Sequence, residues 1–201
     1  MKYEFQDHYF NLAKKEWYVA RSAYKLQEID DKFHLFNKET KTVIDIGCAP
    51  GSRCQYTDRK LEKLKIKDYK IVGFDLKSCN LSSPNIHTYE QDIEEHENVK
   101  NILDEHEITK VDCIISDMAP DTSSNKNADA IRSIALLEDT FRMYENLLKP
   151  DGKFAIKVFM GPGFQEFYND CKTKFGGPKH VKIFKPKACR KASKETYIVK
   201  M

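Results

Sequence analysis

The chain lacks the patterns that would make it a membrane, secreted or metal-held protein. In 201 residues no apolar run approaches the length of a transmembrane helix. Met1-Lys2-Tyr3-Glu4-Phe5 offers neither an apolar signal core nor an Arg-rich, acid-poor transit segment. These absences lead us to expect an intracellular protein without a membrane partner, its compartment within the cell left open. None of the cysteines (Cys48, Cys54, Cys79, Cys113, Cys171 and Cys189) forms C-x-x-C, and the histidines show no ligand spacing. Buried thiols in a reducing compartment are expected, with no disulfide and no metal. No G-x-G-x-x-G occurs, which argues against a dinucleotide oxidoreductase. Repeats and linkers are missing too, so residues 1–201 read as one domain.

What is present is a globular composition, 40% hydrophobic and 32% charged, organised around Thr42 to Ser52. Val43, Ile44 and Ile46 are β-branched and apolar, as in a short buried strand. Gly47-Cys48-Ala49-Pro50-Gly51 then makes a tight turn, and Leu61 and Leu64 fall at helical spacing beyond it. A strand, a glycine turn and a helix N-terminus hold nucleotide-like ligands in α/β proteins. Pro50 removes an N–H where a phosphate would want one. The spacing therefore points to a nucleoside ligand without phosphates, with S-adenosylmethionine the obvious candidate; the alternative is an ordinary strand-to-helix turn.

Along the chain, Phe10–Lys32 is helical in pattern, with Leu12, Trp17, Ala20, Tyr24, Leu26 and Ile29 at apolar positions. A break is expected at Arg21-Ser22, with Ser22 as N-cap of a second helix. Further strands are expected over 69–75, 85–92, 111–120 (ending in a Ser116-Asp117-x-x-Pro120 turn), 153–159, 181–184 and 196–199, the last two pairing like a hairpin. Helices are expected to about Lys65, over Asn98–His106, along Ile131, Ile134, Ala135, Leu137, Phe141, Tyr144 and Leu148, and to about Lys174. Asp121–Asn127 reads as a mobile loop and Pro150-Asp151-Gly152 as a turn. The alternation predicts a mostly parallel sheet with helices on both faces, and Asp45, Asp75, Asp92 and Asp117 near the strand tips. Lys157 stands inside an apolar run, a costly place for a lysine without a task. Net charge is only +3, but Lys185, Lys187, Arg190, Lys191 and Lys194 cluster without an acid, a candidate contact for a phosphate backbone or simply a solvated loop.

Taken in order, Arg21-Ser22-x-x-Lys25-Leu26, Asp45-x-Gly47-x-x-Pro50-Gly51, Asp75, Asp92, Ser116-Asp117-Met118-Ala119-Pro120, Lys157 and Ser193-x-Glu195-x-Tyr197 resemble the FtsJ/RrmJ-type ribose 2′-O-methyltransferases over nearly the whole chain. The resemblance implies a Rossmann-like S-adenosylmethionine-dependent methyltransferase fold: α/β, mostly parallel, with a C-terminal antiparallel strand. It implies a catalytic tetrad of Lys25, Asp117, Lys157 and Glu195, and cofactor contacts at Gly47, Pro50, Gly51, Arg53, Asp75, Asp92 and Asp117. Arg53 departs from the Trp usual in that family, and an Arg is larger, charged and differently shaped. The implied reaction is in-line attack of a ribose 2′-hydroxyl on the sulfonium methyl, needing alignment and a destination for one proton but no metal. Lys157 is the candidate for that proton or for orienting the hydroxyl, Lys25 the second cation, and Asp117 the group that orients Lys157. Glu195 would position Lys25 or the ribose, Asp75 bind the cofactor ribose and Asp92 its adenine.

The implied partner is RNA, ribosomal RNA or a ribosomal subunit, with a uridine of large-subunit RNA as target and the N-terminal helices (1–33) and the basic loop as grips. A monomer is expected. Alternatives are a tRNA or mRNA-cap substrate, or a non-catalytic RNA-binding assembly factor.

Overall fold

The computed structural model describes residues 8–123, 125–190 and 192–201. Residues 1–7, Ser124 of the expected loop and Lys191 of the basic cluster lie outside them. Helices α1 (His8–Lys15) and α2 (Ser22–Phe33) precede β1 (Thr42–Ile46), α3 (Ser52–Lys63), β2 (Lys70–Asp75) and β3 (Ile86–Glu90). Then come α4 (His96–Glu105), β4 (Val111–Ser116), α5 (Lys126–Leu147), β5 (Leu148–Phe159), α6 (Phe164–Lys174), β6 (Val181–Phe184) and β7 (Glu195–Lys200). The strands form one sheet in the order β3-β2-β1-β4-β5-β7-β6. β1 to β5 run parallel, and β7 inserts antiparallel between β5 and β6.

Side chains alternate across a strand, and the alternation builds two cores. Ile44, Ile46, Val72, Phe74, Ile114, Phe154, Ile156 and Ile198 meet residues of α4, α5 and α6 on one face. Val43, Ile71, Cys113, Ile115, Ala155, Tyr197 and Val199 meet α2 and α3 on the other. The same parity sends Asp45, Asp117, Lys157 and Glu195 to the α2/α3 face. That is the face from which Lys25 and Arg53 arrive.

Several local expectations are corrected. The first helix ends at Lys15, so Trp17 is not an apolar helix position but is 82% exposed with φ +61°. Ser22 is the first residue of α2 rather than its cap, and its hydroxyl lies 2.6 Å from that of Ser52 instead. On α5, Ile131 is 55% exposed; the buried stripe runs through Ala130, Ser133, Ile134, Leu137, Phe141 and Tyr144. The helix begins inside the expected 121–127 loop because the Asn125 side chain caps Asn127 N and Ala128 N. Ser123 is tied by its N–H and hydroxyl to Asp129. Pro150-Asp151-Gly152 lies within β5: Leu148 pairs with Val111 and Lys153 with Cys113, so the strand bulges outward between them. Lys200 Nζ donates to the carbonyls of Pro150 and Gly152 and holds the bulge. Cys79 is half-buried, unlike the other five thiols, with its Sγ 3.5 Å from that of Cys48.

Candidate active site

The turn after β1 is closed on itself. Gly47 N and Cys48 N donate to Phe74 O, Gly51 N to Cys48 O, and Ala49 N to Asp75 Oδ2 at 2.8 Å. Pro50 has no N–H, so every amide hydrogen from 47 to 51 is already used. A polyanion finds no donors here, in contrast to a phosphate-binding loop. The chain needs glycine at both ends. Gly47 has φ +69° and a Cβ would meet the Met118 backbone at 2.9 Å; Gly51 has φ +106° and a Cβ would press on Leu81 at 2.6 Å.

Acids stand at the neighbouring tips. Asp75 ends β2, and its carboxylate accepts from Ala49 N and from Lys77 N at 2.9 Å. Each oxygen keeps a second lone pair on a carboxylate whose direction is fixed. Asp92 lies past the end of β3 and accepts from Glu94 N at 3.0 Å. Asp45 is fully buried inside β1, beneath the turn rather than at its surface.

Arg53, 3% exposed, holds this ground together. Its Nε and Nη2 both donate to Asp45 Oδ1 at 3.0 and 2.6 Å, Nη1 donates to Asp117 Oδ2 at 3.0 Å, and Nη2 also reaches the Gly47 carbonyl. Its guanidinium therefore faces the carboxylates behind the turn. Burial pushes the Asp45 carboxyl up, and the guanidinium opposes that push.

Asp117, at the end of β4, is the hub. Oδ2 takes Arg53; Oδ1 takes the Tyr197 hydroxyl at 2.8 Å and lies 3.2 Å from Lys157 Nζ. Lys157 Nζ also donates to the Asp117 carbonyl. Burial alone would raise this carboxyl, but Lys157, Arg53 and Lys25 hold it well below the usual carboxylate range. Burial and the neighbouring carboxylate push Tyr197 far up, so it remains a hydroxyl donor. Lys25, in the first turn of α2, reaches across to Glu195 at the start of β7, Nζ to Oε2 2.9 Å. Lys25, Lys157 and Glu195 are each 8% exposed.

The four expected tetrad residues are thus brought together, in two ion pairs. Tyr197, the last residue of the Ser193-x-Glu195-x-Tyr197 motif, follows Glu195 by two residues on β7 and so shares its face. Asp45 carries the same parity signal beside Val43. Among the basic cluster, Lys185, Lys187 and Arg190 are exposed, and Glu28 of α2 pins the loop by accepting from Lys187 N and Ala188 N at 2.6 and 2.8 Å. A groove of about 1000 Å³ between α4 and α5 is lined by none of these residues.

A seven-stranded sheet with a reversed β7, acids at successive strand tips and a turn with no amide to spare define an S-adenosylmethionine-dependent methyltransferase. The chain belongs to the FtsJ-like methyltransferase family, whose model matches residues 18–201. It is 41% identical over 199 residues to ribosomal RNA large subunit methyltransferase E of Desulforapulum autotrophicum, covering 98% of this chain and 93% of that one. The enzyme of the same name from Syntrophobacter fumaroxidans is 38% identical, with 100% and 98% covered. A ribosomal RNA methyltransferase from Plasmodium falciparum superposes with a TM-score of 0.79 at 30% identity, covering 91% of this chain and 97% of that one. Human methyltransferase-like protein 13, solved with SAH, shares the fold alone: TM-score 0.60 at 11% identity, covering 88% and 80%.

Proposed function

We propose that this chain transfers a methyl group to a ribose 2′-hydroxyl of RNA, with a uridine of large-subunit ribosomal RNA as target, acting as a single-domain monomer. The observation that carries the reading is the pairing of two buried lysines, each fixed on its own carboxylate, beside a turn suited to a cation rather than a phosphate. S-adenosylmethionine fits that turn: it carries a sulfonium and an ammonium, and brings carboxylates rather than amides into demand. When bound it supplies an activated methyl group. Asp75, already oriented by two backbone donors, would accept from the cofactor ribose, and Asp92 from the adenine amino group. Gly47, Pro50 and Gly51 would let the ligand approach the backbone, and Asp117 would face its methionine end.

Arg53 takes a different part from the aromatic usual at its position. It fixes Asp45 and Asp117 from behind the turn and keeps Asp117 charged. Lys157 is held by one hydrogen bond to the Asp117 carbonyl and by the ion pair to its carboxylate, which together fix where Nζ sits. As an ammonium it would orient the ribose hydroxyl through a remaining N–H; once it has given up a proton to solvent, the lone pair of the neutral amine would take the proton of the hydroxyl. Lys25 keeps donors beyond its bond to Glu195, enough for the ribose or an adjacent phosphate. The exposed lysines and arginine of the 185–194 loop, together with α1 and α2, would hold the RNA backbone.

The test is methyl transfer from labelled S-adenosylmethionine to large ribosomal subunits, free ribosomal RNA and tRNA in parallel. Label at a ribose 2′-oxygen of the large-subunit RNA supports the reading. Label confined to tRNA, or on a base, replaces it.

A further inference from the structure

Trp17 is the sole tryptophan in the chain, and it sits where neither burial nor backbone comfort explains it. Its side chain is 82% exposed, and its φ of +61° is a conformation that bulky residues rarely adopt. The surrounding turn enforces that conformation. Tyr18 N donates to Ala13 O at 2.9 Å, and Val19 N to Gln55 Oε1 at 2.9 Å. Arg59 donates to Glu16 O at 2.8 Å while its guanidinium stacks 4.4 Å from the Tyr18 ring centre. Strain held by over-determined surroundings points toward function.

The brace leads to the active site. Gln55 and Arg59 belong to α3, whose first residue Ser52 follows Gly51 of the cofactor turn and meets Ser22 at 2.6 Å. Lys25 is one helical turn beyond Ser22. Eight residues from Lys25, Trp17 lies at most about 28 Å from it, a span of a few nucleotides. The turn that carries Trp17 follows directly on cations and a further aromatic of α1: Lys14 and Lys15 end the helix, and Lys14 Nζ lies 4.6 Å from the ring centre of exposed Phe10. An exposed aromatic on a braced backbone, next to basic side chains, is the surface on which unpaired bases stack while cations take the phosphates.

We infer that Trp17 is a stacking platform for an unpaired nucleobase near the target nucleotide, binding the RNA through the base face rather than through sequence-reading hydrogen bonds. This rests on the RNA methyltransferase reading above. Trp17 lies one residue before the stretch matched by the family model, so the case stands on this chain's own geometry.

As the sole tryptophan, Trp17 reports on itself. Titrating the full chain with single-stranded RNA and with large-subunit ribosomal RNA transcript should quench its emission, whereas S-adenosylmethionine alone should not. Trp17→Ala should raise the dissociation constant and KM for RNA by roughly tenfold, with kcat and cofactor affinity within about twofold. Trp17→Gly should lose RNA affinity equally with no drop in Tm, because glycine adopts the backbone without strain. Trp17→Phe should keep most of it. Unchanged emission together with unchanged KM in Trp17→Ala overturns the inference while leaving RNA methylation intact. A defect seen only on protein-bearing subunits, with naked RNA bound normally, overturns it in favour of a protein contact. If the wild-type chain neither binds nor methylates any of these RNAs, the functional reading falls first and this inference with it.

Discussion

The two ion pairs of the site are built differently. Asp117, at the end of β4, has both oxygens occupied by Arg53, Tyr197 and Lys157, and its main chain is tied to Ile46 O and to Lys157 as well. Glu195, at the start of β7, holds Lys25 through one oxygen. The first pair is a closed network, and closed polar networks fix geometry at the expense of adaptability. The second leaves hydrogen-bonding capacity on both partners. A reaction that aligns a hydroxyl with a methyl group needs one rigid reference and one contact that adjusts to the RNA. We assign those tasks to Asp117–Lys157 and Lys25–Glu195 respectively.

The largest effect should come from breaking the closed side. Arg53→Leu leaves Asp45 and Asp117 short of their shared cation, and removing one partner from a buried pair costs roughly 3–5 kcal/mol. Thermal unfolding should show a fall of about 10 °C in Tm. Little change would mean that Arg53 merely fills space. On the adjustable side, Lys25→Ala should lower kcat by roughly 10²-fold with a smaller loss of Tm than Arg53→Leu, measured by single turnover beside a melt. Asp75→Asn touches neither pair; it should weaken cofactor binding by about tenfold in calorimetry, without changing kcat at saturation.

A smaller effect reports on the closed pair through pH. The carboxyl of Asp117 is depressed in the fold, so its stabilisation is complete above about pH 5 and is lost as pH falls through and below the unfolded value. Asp45, raised by burial, acts in the opposite sense and offsets part of that loss. Asp117→Asn should therefore flatten the acid limb of a stability–pH curve followed by thermal melts.

The sequence made much of this arrangement legible, and for a physical reason. Strand spans follow from short β-branched runs, and the parity of Asp45, Asp117, Lys157 and Glu195 within those runs assigns them to one face. Motif order supplied the partner helix carrying Lys25. Long-range geometry was beyond local reading. Nothing near Pro150-Asp151-Gly152 announces that Lys200, fifty residues on in the case of Pro150, will hold the segment as a bulge within β5. Trp17 fits a helical apolar pattern, and only the bracing by Gln55 and Arg59 turns it outward. The expectation that Arg53 contacts the cofactor comes from the family resemblance, through its position two residues beyond Gly51. Its commitment to Asp45 and Asp117 depends on two other strands.

The most direct test of the central claim is Lys157→Ala, assayed for cofactor binding by calorimetry and for methyl transfer to large-subunit RNA in the same preparation. The account predicts cofactor affinity within about twofold of wild type and turnover reduced by at least roughly 10²-fold. Transfer at the wild-type rate with binding intact would contradict it, and would remove Lys157 from the chemistry.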